Sequence, residues 1–115
     1  LRQLALAIMD VDWFKAYNDL YGHPAGDACL RQIAQTLAAT LARSADFVAR
    51  YGGEGFVFLA PGTELAGALQ QAEKLIAAMA TLNLAHSGSP YARVTLSNGL
   101  AAMQATAGGD RSEER

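Results

Sequence analysis

Two acidic positions carry the chemistry this chain has on offer. Glu54 lies in Arg50-Tyr51-Gly52-Gly53-Glu54-Gly55-Phe56, with a glycine on either side. The flanking runs, Phe47-Val48-Ala49 and Phe56-Val57-Phe58-Leu59, are short and rich in β-branched and aromatic residues. Paired glycines between such runs predict a hairpin turn. Glycine reaches left-handed backbone angles without steric cost and lets another group approach the chain. A turn needs no carboxylate, yet one stands at its tip. Taken alone, Glu54 reads as a solvated turn acid. That reading weakens because a second acidic cluster, Asp10-Val11-Asp12, ends the first apolar run. Carboxylates that meet without a cation repel, and one tends to take up a proton.

The elements that would position these acids follow from periodicity. Leu4 to Met9 is a continuous apolar run, which predicts a strand covered on both faces. Asp10 and Asp12 are two apart, so extended backbone would point them the same way. Phe14, Tyr17 and Tyr21 have helical spacing, ended by Gly22. Pro24 suits the first turn of a second helix, with Asp27 near its positive end. Leu30, Ile33, Ala34, Leu37 and Leu41 make that helix's apolar stripe, which fades near Arg43. After the strand-turn-strand unit at 46–60, Thr63 is placed to cap a third helix with Leu65, Leu69, Ala72, Ile76 and Met79 inward. His86 to Pro90 reads as a loop. A last strand is predicted from Ala92 to Met103, with Val94, Leu96, Asn98 and Leu100 on one face. A buried Asn98 would need hydrogen-bond partners. The order β-α-α-β-β-α-β predicts an α+β sandwich, a mostly antiparallel sheet with helices packed on it.

Composition narrows the function classes. The 115 residues fit one domain, and 51% hydrophobic with 17% charged residues gives material for a core. A net charge of −2 leaves no basic field to hold a nucleic-acid backbone. With Cys29 as the single cysteine, no internal disulfide forms, which fits a reducing compartment. No apolar run is long enough to span a bilayer, and no signal peptide is visible. The chain enters a strand almost at once and ends in a charged stretch, 110–115, as a piece cut from something longer would.

Three stretches resemble one known family. Asp10-Val11-Asp12-Trp13-Phe14-Lys15-Ala16-Tyr17-Asn18-Asp19 is similar to its D-x-D-x-F-K-x-x-N-D segment. Tyr21-Gly22-His23-Pro24-Ala25-Gly26-Asp27-Ala28-Cys29-Leu30 is similar to its G-H-x-x-G-D-x-x-L segment. Arg50 to Phe56 resembles its R-x-G-G-[DE]-E-F signature. This is the GGDEF family, the diguanylate cyclases, and the resemblance covers about residues 4–102 in order.

The resemblance implies a fold like the palm of nucleotidyl cyclases and polymerases. It implies condensation of two GTP molecules, held on two facing domains of a homodimer, into cyclic di-GMP and pyrophosphate. By the family's pattern Asp10 and Glu54 are the catalytic acids, and with the backbone carbonyl of Val11 they hold Mg²⁺ or Mn²⁺. Asn18 and Asp27 match guanine-reading positions. Gly52 and Gly53 would let the turn approach the nucleotide. Backbone N–H groups around Trp13, Phe14 and Lys15 would meet phosphates, and Lys15 adds charge. His23 is expected to be a structural hydrogen-bonder, and Asp12 a supporting or structural acid. Arg43-Ser44-Ala45-Asp46, five residues before the glycine pair, resembles the family's R-x-x-D inhibitory site for cyclic di-GMP.

The chain also departs from the pattern. Gly55 stands where the signature has Glu, and Asn98 where the last strand has an apolar residue. The family's upstream helix, and its C-terminal part that brings a lysine and an arginine to the triphosphate, have no counterpart here. The expected layout is a domain at 1–103, truncated at both ends, with an irregular tail at 104–115. The expected role is a cytoplasmic, nucleotide-responsive module of cyclic di-GMP signalling, weak or inactive in catalysis and linked to an upstream sensory domain. An active diguanylate cyclase and a non-binding dimerisation module are the alternatives.

Overall fold

The apolar run near the N-terminus forms β1 (Arg2–Val11), an inner strand of the sheet. The structure is a computed structural model that describes residues 2–41 and 46–105. After β1 come α1 (Phe14–Tyr21), α2 (His23–Thr40), β2 (Phe47–Tyr51), β3 (Gly55–Pro61), α3 (Leu65–Leu82) and β4 (Leu96–Ala105). The element order and the α+β class are those predicted. The strands lie in the order β2-β3-β1-β4, and each of the three pairings is antiparallel.

The core lies on one face of this sheet. Ala5, Ala7, Met9 and Val11 of β1 are buried there beside Phe56, Phe58 and Ala60 of β3. The helices supply Phe14, Cys29, Leu30, Ile33, Leu37, Ala68, Leu75 and Met79 to the same cluster. Each large aliphatic or aromatic side chain fully buried here contributes about 1.5–3 kcal/mol. The other face of β1 corrects the expectation of two covered faces. Leu4 and Leu6 are half-buried and Ile8 is 42% exposed, because among the described residues the helices pack on one side only.

α1 ends as predicted, with Gly22 at φ 93° and its N–H donating to Asn18 O at 2.8 Å. α2 starts with proline in its first turn and stops at Thr40, a little before the expected end. α3 differs more. Its N-cap is Glu64, not Thr63, and its buried side is Ala68, Ala72, Leu75 and Met79. Leu65 and Leu69, predicted inward, are about half exposed, and Ile76 is half-buried. Small alanines against the sheet let the helix approach closely, and that turns the larger leucines outward.

The last strand begins at Leu96 instead of Ala92 and reaches Ala105, so residues 104 and 105 are strand and not tail. Upstream of it the chain closes a compact loop. Ala85 bridges Arg93, Val94 N–H donates to Leu84 O at 2.8 Å, and Ala92 takes φ 60°. Asn98 pairs with Met9 across β4 and β1 yet is exposed, since β4 is an edge strand. Its amide reaches solvent, so the predicted conflict does not arise.

Candidate functional site

The β1–β3 ladder brings the two acidic clusters together. Asp10 is the register partner of Gly55, and Val11 N–H donates to Glu54 O at 3.1 Å. Glu54, 43 positions beyond Val11 along the chain, thus meets Asp10 and Val11 at one end of the sheet. The hairpin that carries Glu54 turns through Gly52-Gly53-Glu54, between the paired Tyr51 and Gly55. Gly52 needs its φ of 65°. Gly53 is different: its φ is ordinary and an added Cβ would meet nothing within 4 Å. Packing does not demand glycine at 53; bare backbone there leaves room for a ligand. Arg50 Nη2 donates to Gly53 O at 2.8 Å and ties the turn to β2.

Position 55 faces Asp10. A Cβ on Gly55 would lie 3.0 Å from Asp10 Oδ1. A side chain at residue 55 would thus start beside the Asp10 carboxylate, and glycine supplies none. Among the described residues no three His, Cys, Asp or Glu side chains are grouped to hold a metal. Two carboxylates and a carbonyl at one sheet end still fit the hard oxygen donors of Mg²⁺, which keeps waters and shares phosphates.

The turn from β1 into α1 is built around Asp12 and Trp13. Asp12 does not point with Asp10 as expected, because β1 ends at Val11 and Asp12 enters the turn. Its two carboxylate oxygens accept from Thr95 Oγ1 at 2.8 Å and Ser97 Oγ at 2.6 Å. Its N–H donates to Thr95 O at 2.9 Å. Asp12 is a structural acid. Trp13 is the N-cap of α1, left-handed at φ 59° and ψ 30°, and gives no side-chain cap. The first-turn N–H groups, Phe14 and Lys15 among them, are therefore not claimed by a capping side chain. Lys15 Nζ sits 3.2 Å from Asp19 Oδ2 on the helix surface. Such an exposed pair is worth at most about 1 kcal/mol, so a stronger anion could take the lysine.

The two helices place the remaining pair. Asn18 Oδ1 is buried, has no hydrogen-bond partner among the described residues, and packs on Gly26, where a Cβ would come within 1.8 Å of it. Gly26 is thus fixed by a close approach, and Asn18 holds an acceptor that lacks a donor. Asp27 is exposed on α2, one residue on. His23, expected to be a structural bonder, is exposed at the first position of α2, with no side-chain hydrogen bond among the described residues. Arg43 lies outside the described residues. Asp46 is 5% exposed and leads into β2.

Sequence reasoning missed His86, Thr95 and Ser97. His86 fills the role assigned to His23: it is buried, with Nε2 2.9 Å from Trp13 O. Its signal was a histidine among small residues, His86-Ser87-Gly88-Ser89. Three pKa values are displaced nearby. Burial raises Tyr17, helped by its contact with Cys29. Burial likewise raises the Cys29 thiol, with the Tyr17 bond pulling it down. The Ser87 hydroxyl and then its N–H lower exposed Tyr21.

Comparison with known proteins agrees with this geometry. The family model "Diguanylate cyclase, GGDEF domain" matches residues 2–113. Diguanylate cyclase DgcP of Pseudomonas aeruginosa is 44% identical over 112 residues, which is 97% of this chain and 16% of that protein. The diguanylate cyclase SiaD of Pseudomonas aeruginosa, solved with its activator SiaC, superposes at TM-score 0.78 with 35% identity, over 89% of this chain and 38% of that one. The GGDEF domain of DgcB from Caulobacter crescentus, solved with cyclic di-GMP, gives TM-score 0.76 at 28% identity, over 90% of this chain and 61% of that one. This chain therefore spans only part of each. The family model covers nearly the whole chain, and the relatives agree with it: the chain belongs to the GGDEF family of cyclic di-GMP signalling.

Proposed function

We propose that this domain is a degenerate GGDEF module that binds guanine nucleotide and responds to it while turning over GTP slowly or not at all. The observation that carries the reading is Gly55 opposite Asp10. A missing carboxylate at a divalent-cation site costs transition-state stabilisation, because the ions steady the attacking and leaving oxygens of phosphoryl transfer. Asp10, Glu54 and the Val11 carbonyl would hold Mg²⁺ or Mn²⁺ together with the nucleotide's phosphates. Bound there, the cation supplies charge neutralisation at the α-phosphorus.

The other candidate residues support nucleotide binding over a bare scaffold. Asn18 Oδ1 is a buried acceptor in want of a donor, and a guanine edge offers N–H groups. Asp27 is open to accept from the same edge. Gly53 leaves the hairpin tip clear, with Gly52 making the bend. The N–H groups of Phe14 and Lys15 at the start of α1, with the lysine charge, suit phosphate. Arg43 and Asp46 form the inhibitory-type site for cyclic di-GMP, an arginine fork being apt for guanine O6 and N7. The module works in the cytoplasm as part of a longer protein with an upstream sensory or regulatory domain, and any catalysis needs two copies face to face.

The test is made on the full-length protein with GTP and Mg²⁺. Turnover to cyclic di-GMP is followed against a Glu54→Ala control, and cyclic di-GMP is titrated by calorimetry against Arg43→Ala. Guanine-nucleotide binding without turnover above the control supports the degenerate module. Robust turnover restores the active cyclase. No binding of GTP or cyclic di-GMP leaves a dimerisation module.

A further inference from the structure

His86 lies in a loop and is nonetheless fully buried, at 0% exposure. The nucleotide reading gives it no part. Its ring stands edge-on to Tyr17, centroids 5.0 Å apart, and to Tyr21 at 6.1 Å. Two backbone groups fix its tautomer. Gly88 N–H can only donate, so Nδ1, 3.1 Å away, accepts. The Trp13 carbonyl can only accept, so Nε2, 2.9 Å away, carries the proton and donates. One neutral imidazole satisfies both groups. Gly88 fits this seat closely: a Cβ on it would stand 3.0 Å from His86 Cε1.

The residue clamped from the far side is Trp13, 73 positions away along the chain. It holds a left-handed conformation at φ 59°, which is strained for a bulky residue and persists only when its surroundings enforce it. Its carbonyl takes two bonds, from Tyr17 N–H at 3.0 Å and from His86. The stretch that carries His86 also holds the preceding residue, through Thr95 and Ser97 on the Asp12 carboxylate. It is anchored again where the Ser87 N–H donates to the Tyr21 hydroxyl at 2.9 Å. The turn at 12–13 is thus set from residues 86–97, and no group within α1 itself caps it.

We propose that His86 is a positioning residue for the nucleotide's phosphates: by holding the Trp13 carbonyl it fixes where the N–H groups of Phe14 and Lys15 point. The proposal rests on the phosphate reading of that helix start. It touches no ligand and acts wholly through the backbone of Trp13.

The test titrates the full-length protein in Mg²⁺ buffer with guanosine 5′-(α,β-methylene)triphosphate and, separately, with GMP. His86→Phe keeps the ring packing and loses both hydrogen bonds. It weakens the triphosphate about tenfold and GMP by no more than about twofold, the weight of one or two hydrogen bonds felt by the outer phosphates. His86→Gln, which can still donate and accept, recovers part of the loss. If His86→Phe does not fold, Gly88→Ala, which pushes the ring from its seat, carries the same comparison. Equal losses for both ligands, or no loss for the triphosphate, overturn the positioning role alone. Wild-type protein that binds neither ligand overturns the nucleotide reading and this inference together.

Discussion

Replacing Gly55 by alanine and, separately, by glutamate separates the steric from the electrostatic meaning of that position. The glycine is buried in β3 opposite Asp10. A Cβ there would meet Tyr51 O at 2.9 Å, Asp10 Oδ1 at 3.0 Å and Met9 O at 3.2 Å, whereas ordinary contact begins at 3.4 Å. Two of the three obstacles are backbone oxygens and cannot rotate away, so the hairpin must shift by a few tenths of an ångström. Overpacking on this scale costs about 1–3 kcal/mol, and removing a glycine from a strand returns about 0.5–1 kcal/mol. Gly55→Ala is therefore destabilised by a net ~0–2.5 kcal/mol, about 1 kcal/mol at mid-range. Glutamate adds a like charge beside Asp10, about 1 kcal/mol of repulsion at contact distance in water-like surroundings. A divalent cation reverses that sign. Urea unfolding in EDTA thus ranks wild type above Gly55→Ala above Gly55→Glu, and Mg²⁺ closes or inverts the gap between the two variants. The glutamate variant also forms cyclic di-GMP faster than wild type. If Mg²⁺ stabilises alanine and glutamate equally, position 55 shares no cation with Asp10 and the degeneracy argument fails. If Gly55→Ala unfolds at the wild-type midpoint, the hairpin is not tight there.

Gly26→Ala places a methyl group 1.8 Å from Asn18 Oδ1 and 3.2 Å from Phe14 Cζ; the crowding costs about 1–3 kcal/mol against about 1 kcal/mol of gained helix propensity, so the melting temperature falls, and with Asn18 displaced the affinity for a GTP analogue falls severalfold. Unchanged affinity would remove Asn18 from the guanine site. Ile33→Ala empties a fully buried position on α2 and costs about 2–5 kcal/mol in chemical denaturation, with ligand affinity unchanged wherever the variant is folded. Burial holds the Cys29 thiol above its ordinary value, and Tyr17 shifts the same way. A raised pKa gives stability that is full below the unfolded thiol's value, about 8.5, and is lost as pH rises through the folded value. The urea midpoint therefore falls on going from neutral to strongly alkaline pH, and Cys29→Ala flattens part of that fall; a parallel fall in the variant would assign it to other groups.

Much of the fold was legible because local patterns and global packing agree. Leu30, Ile33 and Leu37 recur at helical spacing and all three are buried. Gly22 stops α1 because its φ of 93° with ψ 157° leaves the helix in a conformation open to glycine and not to bulkier residues. The glycine pair made a hairpin because nothing else fits paired β-branched runs so close together. α3 was misjudged for a different reason. Periodicity says that a face exists, but two neighbouring faces, one with Leu65 and Leu69 and one with Ala68 and Leu75, score alike. The depth of the sheet chose the smaller side chains. The start of β4 was misplaced because Ala92 takes a conformation that a β-rich sequence does not announce.

The chain's own letters sufficed for its element order and its family. They sufficed because hydrophobic period and turn chemistry act between near neighbours. Tertiary structure alone decided which acid faces which. The register of β1 against β3 sets Asp10 across from Gly55 instead of Glu54, and register is a property of two strands together. It also decided that Asp12 serves Thr95 and Ser97 and that His86 grips Trp13, since hydrogen bonds between residues more than 70 positions apart leave no mark on local sequence.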